Sequence, residues 1–225
     1  MTLGRPRLHL RAVGSTNDRA RELAIAGAPH GTLVTAAEQS AGRGRQGRTW
    51  SAPAGHALLM SLLVRDPPRL IPLIAAVAVA ETVGDVATIK WPNDVQVDGR
   101  KVAGILVEGR PQERWAVVGI GLNVAIRLED LPPELHETAA TMGLEPRDVE
   151  GVLARLLAAL EAWSARDEAA VLEAWRARDA LRGQQIRWAQ GSGRADGIDE
   201  HGRLVVVQEL GDRTALDAGE VHLLR

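Results

Sequence analysis

A chain of 225 residues, 45% hydrophobic and 25% charged, can build one sizeable core or a main domain with a small appendage. Its formal charge of −2 gives no global electrostatic footprint for nucleic acid, so any positive patch is local. Cysteine is absent, which excludes disulfides, thiolate metal sites and an enzyme-bound thioester. Tyrosine and phenylalanine are absent too, leaving tryptophan, histidine and arginine to stack on a ligand.

Leu8 to Val13 alternates weakly and predicts a strand. In STNDRARELAIAG, Ser15 or Thr16 stands where an N-cap belongs, Asp18 lies in the first turn and Gly27 stops the helix. GTLVTAAE predicts a strand ahead of a glycine-arginine loop, and HALLMSLLV (56–64) a strand buried on both faces. A helix is expected over 69–83, ending at Gly84. Its apolar stretch is ~14 residues and holds Pro72 and Glu81, against the ~20 that a membrane span needs. MTLGRPRLHL lacks the apolar core of a signal peptide, and a cytoplasmic protein is expected.

VATIKW, DVQVDGRKVAGILVEG and RWAVVGIGLNV predict three strands, the second folded at Asp98-Gly99 into a hairpin. Over 147–163, Val149, Val152, Leu153, Leu156, Leu157, Leu160 and Trp163 share one helical face, with Pro146 near its start. A second helix is expected over about 167–181. From Gly183 the texture changes to short strands broken by glycine (QQIRWAQ, GRADGIDEHG, RLVVVQE, EVHLLR), as in a small β-barrel. Strands and helices are out of strict βαβ order, so the expected class is α+β: a mixed β-sheet packed with helices over 1–181, and a small barrel over 182–225.

AGRGRQGRTW (41–50) matches a dinucleotide loop, a Walker A loop and a kinase glycine loop, each imperfectly. The first two must open into a helix, and Pro53 and Gly55 forbid one; the third lacks an H-R-D. What remains is physical. Gly42, Gly44 and Gly47 allow backbone amides near an anion, while Arg43, Arg45 and Arg48 supply guanidinium groups. Such a loop is expected to be mobile until an anion neutralises it. The plainer alternative is a solvated or RNA-binding Gly-Arg segment.

In KWPNDV (90–95), Lys90, Asn93 and Asp94 bring an ammonium, an amide and a carboxylate to one corner, with Asn93-Asp94 expected to begin a turn. That set suits a phosphate with its Mg²⁺; the alternative is a tight corner covered by Trp91. In GRKVAGILVEG, Lys101 follows the hairpin turn, where an exposed lysine is the commoner case, and Gly104 interrupts an apolar strand. In VVGIGLNV, Gly119 and Gly121 thin a buried strand, and Asn123 is an amide in an apolar setting or a turn former.

STND, EQSAGRGRQGRTW, KWPNDV, GRKVAGILVE and GIGLNV, in this order, closely resemble the biotin–protein ligases, from about Leu8 to the C-terminus. The resemblance implies a catalytic domain related to class II aminoacyl-tRNA synthetases and lipoate ligases, followed by an SH3-like barrel. It implies MgATP-dependent activation of biotin to biotinyl-5′-AMP and transfer to one lysine of a biotin carboxyl carrier protein domain, with no tightly bound prosthetic group. By motif, Ser15, Thr16, Asn17, Gln39, Arg43, Gly44, Arg45, Lys101 and Gly104 correspond to the biotin side. Arg45, Arg48, Trp50, Lys90, Asn93 and Asn123 correspond to the ATP side, and Asp94 to a Mg²⁺ contact. Lys101 and Arg45 carry the catalytic expectation. STND begins at residue 15, so the likeness is to members without an N-terminal winged helix, and neither DNA nor membrane is an expected partner. A homodimer is left open. Rival readings are a lipoate or other acyl–protein ligase and a non-enzymatic Gly-Arg nucleic-acid binder.

Overall fold

The computed structural model describes residues 3–217, 219 and 221–224. The chain runs β1 (Arg7–Leu10), α1 (Thr16–Ile25), β2 (Leu33–Ala36), β3 (Ala57–Arg65), α2 (Ile71–Val83), β4 (Ala87–Lys90), β5 (Asp94–Val97), β6 (Arg100–Arg110), β7 (Trp115–Asn123), α3 (Val149–Ser164) and α4 (Glu168–Arg176). It continues as β8 (Gln185–Trp188), β9 (Gly191–Ile198), β10 (Leu204–Val207), β11 (Arg213–Leu216) and β12 (His222–Leu223).

β1 to β7 form one mixed sheet in the order β1-β2-β3-β7-β6-β5-β4, with β1 parallel to β2 and the other pairs antiparallel. Alternation along β3 sorts the two faces. Leu58, Met60, Leu62 and Val64 pack with α2 and α3, whereas Leu63 packs with Ala20 and Ala24 of α1. α2 is buried along nearly its whole length, the reason its sequence shows no polar face. β8 to β12 form an antiparallel sheet in the order β11-β10-β9-β8-β12. Its Ile186, Trp188, Ile198, Leu204 and Val206 join the same core cluster as α2 and α3, so apolar contact runs unbroken past residue 181.

The α+β class, the α2 helix and the Asp98-Gly99 hairpin agree with expectation. Three boundaries differ. The first strand stops at Leu10, and Val13 makes only an isolated bridge to Gln39. The helix expected to reach 181 stops at Arg176, because the following residues leave it to bond the outer edge of β4: Ile89 N–H donates to Arg178 O (2.7 Å) and Ala180 N–H to Ile89 O (3.0 Å). Asp94 does not begin a turn; it opens β5 opposite Lys90. Of the expected last strand, Glu220 and Arg225 lie outside the described residues. Among the described residues no helix is long and apolar enough to cross a membrane.

Candidate active site

Three neighbouring strands share a bare patch. In register, Ser61 of β3 faces Gly119 of β7, which faces Leu106 of β6, and Gly121 faces Gly104. The glycines are required by what sits over them. A Cβ on Gly119 would fall 2.1 Å from Asn17 Oδ1, and one on Gly121 2.4 Å from Trp50 Cε2. The patch floors a cleft of about 630 Å³ lined by every residue expected at the site: Ser15, Thr16, Asn17, Gln39, Arg43, Gly44, Arg45, Arg48, Trp50, Lys90, Asn93, Asp94, Lys101, Gly104 and Asn123.

One end of the cleft is neutral and internally bonded. Ser15 occupies the N-cap position of α1 without a side-chain cap; Gln39 Oε1 instead accepts from Thr16 N–H (2.7 Å) and Thr16 Oγ1 (2.9 Å). Ser61 Oγ lies 2.6 Å from Asn17 Oδ1 and 2.8 Å from Thr16 Oγ1, within donating distance of both. Asn17 Nδ2 donates to Glu108 Oε2 at 2.8 Å. Sequence reasoning missed Ser61 and Glu108. A hydroxyl inside the apolar run HALLMSLLV was the available signal for the first.

The other end is cationic. Lys101 Nζ is 2.7 Å from Asp94 Oδ1 and 5.5 Å from the Trp50 ring centroid, so it is a cleft residue and not a solvated hairpin lysine. Burial pushes the Lys90 ammonium below the usual lysine range; Asp94 opposes this, while Lys101 and Arg48 add to it. Burial likewise lowers Arg45, again against the attraction of Asp94. Three cations thus gather around one carboxylate in a partly desolvated place, where an incoming anion is strongly attracted. Trp50 Nε1 is buried with no hydrogen-bond partner among the described residues.

The 42–50 loop has internal order of its own. It is a tight hairpin: Arg43 bridges Thr49, Gly44 N–H donates to Arg48 O (2.7 Å) and Trp50 N–H to Gly42 O (2.9 Å). The Gly44 amide is therefore spent inside the loop and does not point at an anion. A Cβ on Gly42 would fall 2.4 Å from Trp50 O, so this glycine serves hairpin closure. Arg43 is neutralised from within, with Nη2 2.7 Å from Asp18 Oδ1 and 2.8 Å from Glu108 Oε2.

Two expected ligand amides have structural duties. Asn93 Nδ2 donates to Ile105 O (3.1 Å), holding β5 beside β6, and Asn123 Nδ2 donates to Ala140 O (2.9 Å). Trp91 covers the corner as expected, its Nε1 donating to Gly202 O (3.1 Å) of the C-terminal sheet. Asp94 and Glu137 both line the cleft, but among the described residues no cluster of three or more metal-ligating side chains exists. That donor set suits a Mg²⁺ held chiefly by the oxygens of a phosphate ligand.

The chain has counterparts among known proteins. The biotin/lipoate A/B protein ligase family model matches residues 10–124. The bifunctional ligase/repressor BirA of Bacillus spizizenii is 37% identical over 174 residues, 71% of this chain, which spans only 54% of that relative's length. The biotin–[acetyl-CoA-carboxylase] ligase of Mycobacterium tuberculosis is 34% identical over 94% of this chain and 86% of its own. The Aquifex aeolicus biotin protein ligase, solved in complex with biotin and ATP, superposes with a TM-score of 0.80 at 27% identity, covering 98% of this chain and 99% of that one. With a family model over half its length and a relative matched nearly end to end, this chain belongs to the biotin/lipoate A/B protein ligase family.

Proposed function

We propose that the chain is a biotin–[acetyl-CoA-carboxylase] ligase. It activates biotin with MgATP to biotinyl-5′-AMP and transfers the biotinyl group to a lysine of a biotin carboxyl carrier protein. The observation that carries this reading is the polarity of the cleft. A neutral ureido head suits the Ser15–Asn17 and Gln39 end, which Ser61 supports from beneath, and a carboxylate tail suits Lys101.

Adenylation joins two anions: a carboxylate oxygen attacks the α-phosphorus and pyrophosphate leaves. In this reading Lys101, Lys90 and Arg45, which gather at the Asp94 end of the cleft, stabilise the negative charge on the oxygens around that phosphorus. Asp94 holds the Lys101 ammonium in place before substrate arrives. Magnesium enters as part of the nucleotide complex, with Asp94 as its candidate carboxylate contact, and supplies further charge at the phosphates. In the second step a neutral lysine amine attacks the acyl carbon of the mixed anhydride and AMP leaves. No protein nucleophile is needed, in keeping with the absence of cysteine. In this reading residues 1–181 carry the chemistry, and residues 182–225 support it through contacts such as Trp91 to Gly202.

Pyrophosphate release from ATP, measured with biotin, with lipoate and with neither, tests the function. Biotin-dependent release, with the label then found on a carrier lysine, is the expected result. Equal release with lipoate would sink the choice of acid, and no acid-dependent release would sink the ligase.

A further inference from the structure

Glu108 is a carboxylate near the end of β6 that the chemistry above leaves without a task. Its side chain is 26% exposed, and a carboxylate so placed is costly unless bonded. Both of its close partners belong to the site, although Glu108 is not among the residues lining the cleft. A single oxygen, Oε2, accepts from Asn17 Nδ2 (2.8 Å) at the neutral end and from Arg43 Nη2 (2.8 Å) in the 42–50 hairpin. Arg21 Nη1 stands 3.8 Å from Oε1, and Asp18 Oδ1 completes the grip on Arg43 at 2.7 Å.

Two consequences follow from this geometry. A flipped Asn17 amide would set its oxygen against Glu108 and the Leu106 carbonyl, which its Nδ2 now approaches at 3.4 Å. Glu108 therefore fixes which way Asn17 points, keeping Oδ1 toward Ser61 with a second lone pair free for a ligand N–H. The same oxygen tethers Arg43, and with it the hairpin whose next arginine, Arg45, lines the cleft together with Asp94. We propose that Glu108 is a positioning residue that couples the two ends of the cleft, so that ligand contact at Asn17 is transmitted to the hairpin carrying Arg45. The proposal rests on the ligase reading in taking biotin as the ligand at Asn17.

Glu108→Gln keeps the shape and removes the charge, and Arg43→Ala removes the tether from the other side. Biotin affinity by calorimetry without ATP, and tryptic cleavage after Arg45 and Arg48 with and without biotin, are measured for wild type, both variants and the double variant, with thermal melting as the control for folding. In wild type, biotin should slow cleavage of the hairpin. Glu108→Gln should raise the biotin Kd roughly ten-fold, the size expected for losing a charge-assisted hydrogen bond, and abolish that protection. Arg43→Ala should abolish protection with a smaller change in Kd, and the double variant should be no worse than Glu108→Gln. Protection that persists in either single variant overturns the coupling, as does a double variant whose defects multiply. So does a lower melting temperature with unchanged Kd and protection, which would make Glu108 a plain stabilising contact. A wild-type chain that binds no biotin would sink the ligase reading itself; normal wild-type binding with unaltered variants sinks only the role of Glu108.

Discussion

The two ends of the cleft solve opposite problems. At the α1 end, Thr16, Asn17, Gln39 and Ser61 bond one another and Glu108 holds Asn17 from outside the cleft, so the shape presented to a ligand is set in advance. At the Asp94 end, Lys90, Lys101 and Arg45 crowd a single carboxylate, and burial works against the charge of Lys90 and Arg45. A preorganised neutral end gives recognition; an under-neutralised cationic end gives attraction that grows when phosphate arrives. Perturbing the first should move affinity, and perturbing the second should move rate.

The largest effect is expected from Lys101→Ala. Losing an ammonium that meets developing charge raises the barrier by ~3 kcal/mol, on the order of a hundred-fold in single-turnover adenylate formation. Transfer from pre-made biotinyl-adenylate should suffer less, and Lys101→Arg should not restore the rate, because a planar fork does not replace a compact charge. Adenylation within a few-fold of wild type in Lys101→Ala would leave Lys101 as a mere partner of Asp94.

Ser61→Ala tests the neutral end. Removing a fully buried hydroxyl that serves Asn17 and Thr16 should cost about 1–3 kcal/mol of stability and raise the KM for biotin with little change in kcat. A fall in kcat with an unchanged KM would erase the distinction between the two ends.

The smallest effect concerns pH. Lys90 is depressed mainly by burial, so its ammonium is present below that lowered value and lost as pH rises through it, sooner than for an ordinary lysine. The KM for ATP should therefore begin to climb on the alkaline side before an unperturbed lysine, near pH ~10.4, would titrate. The same depression means that the fold carries a penalty for charging Lys90, which is relieved as pH rises through that value. Lys90→Arg, which keeps its charge, should push the climb in KM upward in pH at a few-fold cost near neutrality. An unchanged alkaline limb in Lys90→Arg would assign it to another group.

Much of this was legible in the sequence because local pattern and tertiary role agreed. Gly104, Gly119 and Gly121 interrupt apolar strands where side chains from elsewhere need the space, and the expected site residues all reach one cleft. What the sequence did not show shares a cause, which is pairing across long sequence distances. Residues 178–180 read as helix until the free edge of β4 claims them. Nothing local announces that Asp18 and Glu108 converge on Arg43. Nor does local pattern show that the carbonyls of Ile105 and Ala140 take the Nδ2 donors of Asn93 and Asn123.

Trp50 lies over Gly104 and Gly121, beside the Lys101 ammonium. In a chain without tyrosine or phenylalanine, all near-ultraviolet absorbance and emission come from indole. Trp91, Trp115, Trp175 and Trp188 are buried, and Trp163 is tied to Glu81 on the helical side. Of the described residues two indoles line the cleft, Trp50 and the more deeply buried Trp91, and Trp50 is the one that lies over the glycine floor. The protein thus carries its own optical probe at the place where recognition meets chemistry, with Trp115, Trp163, Trp175 and Trp188 outside the cleft lining.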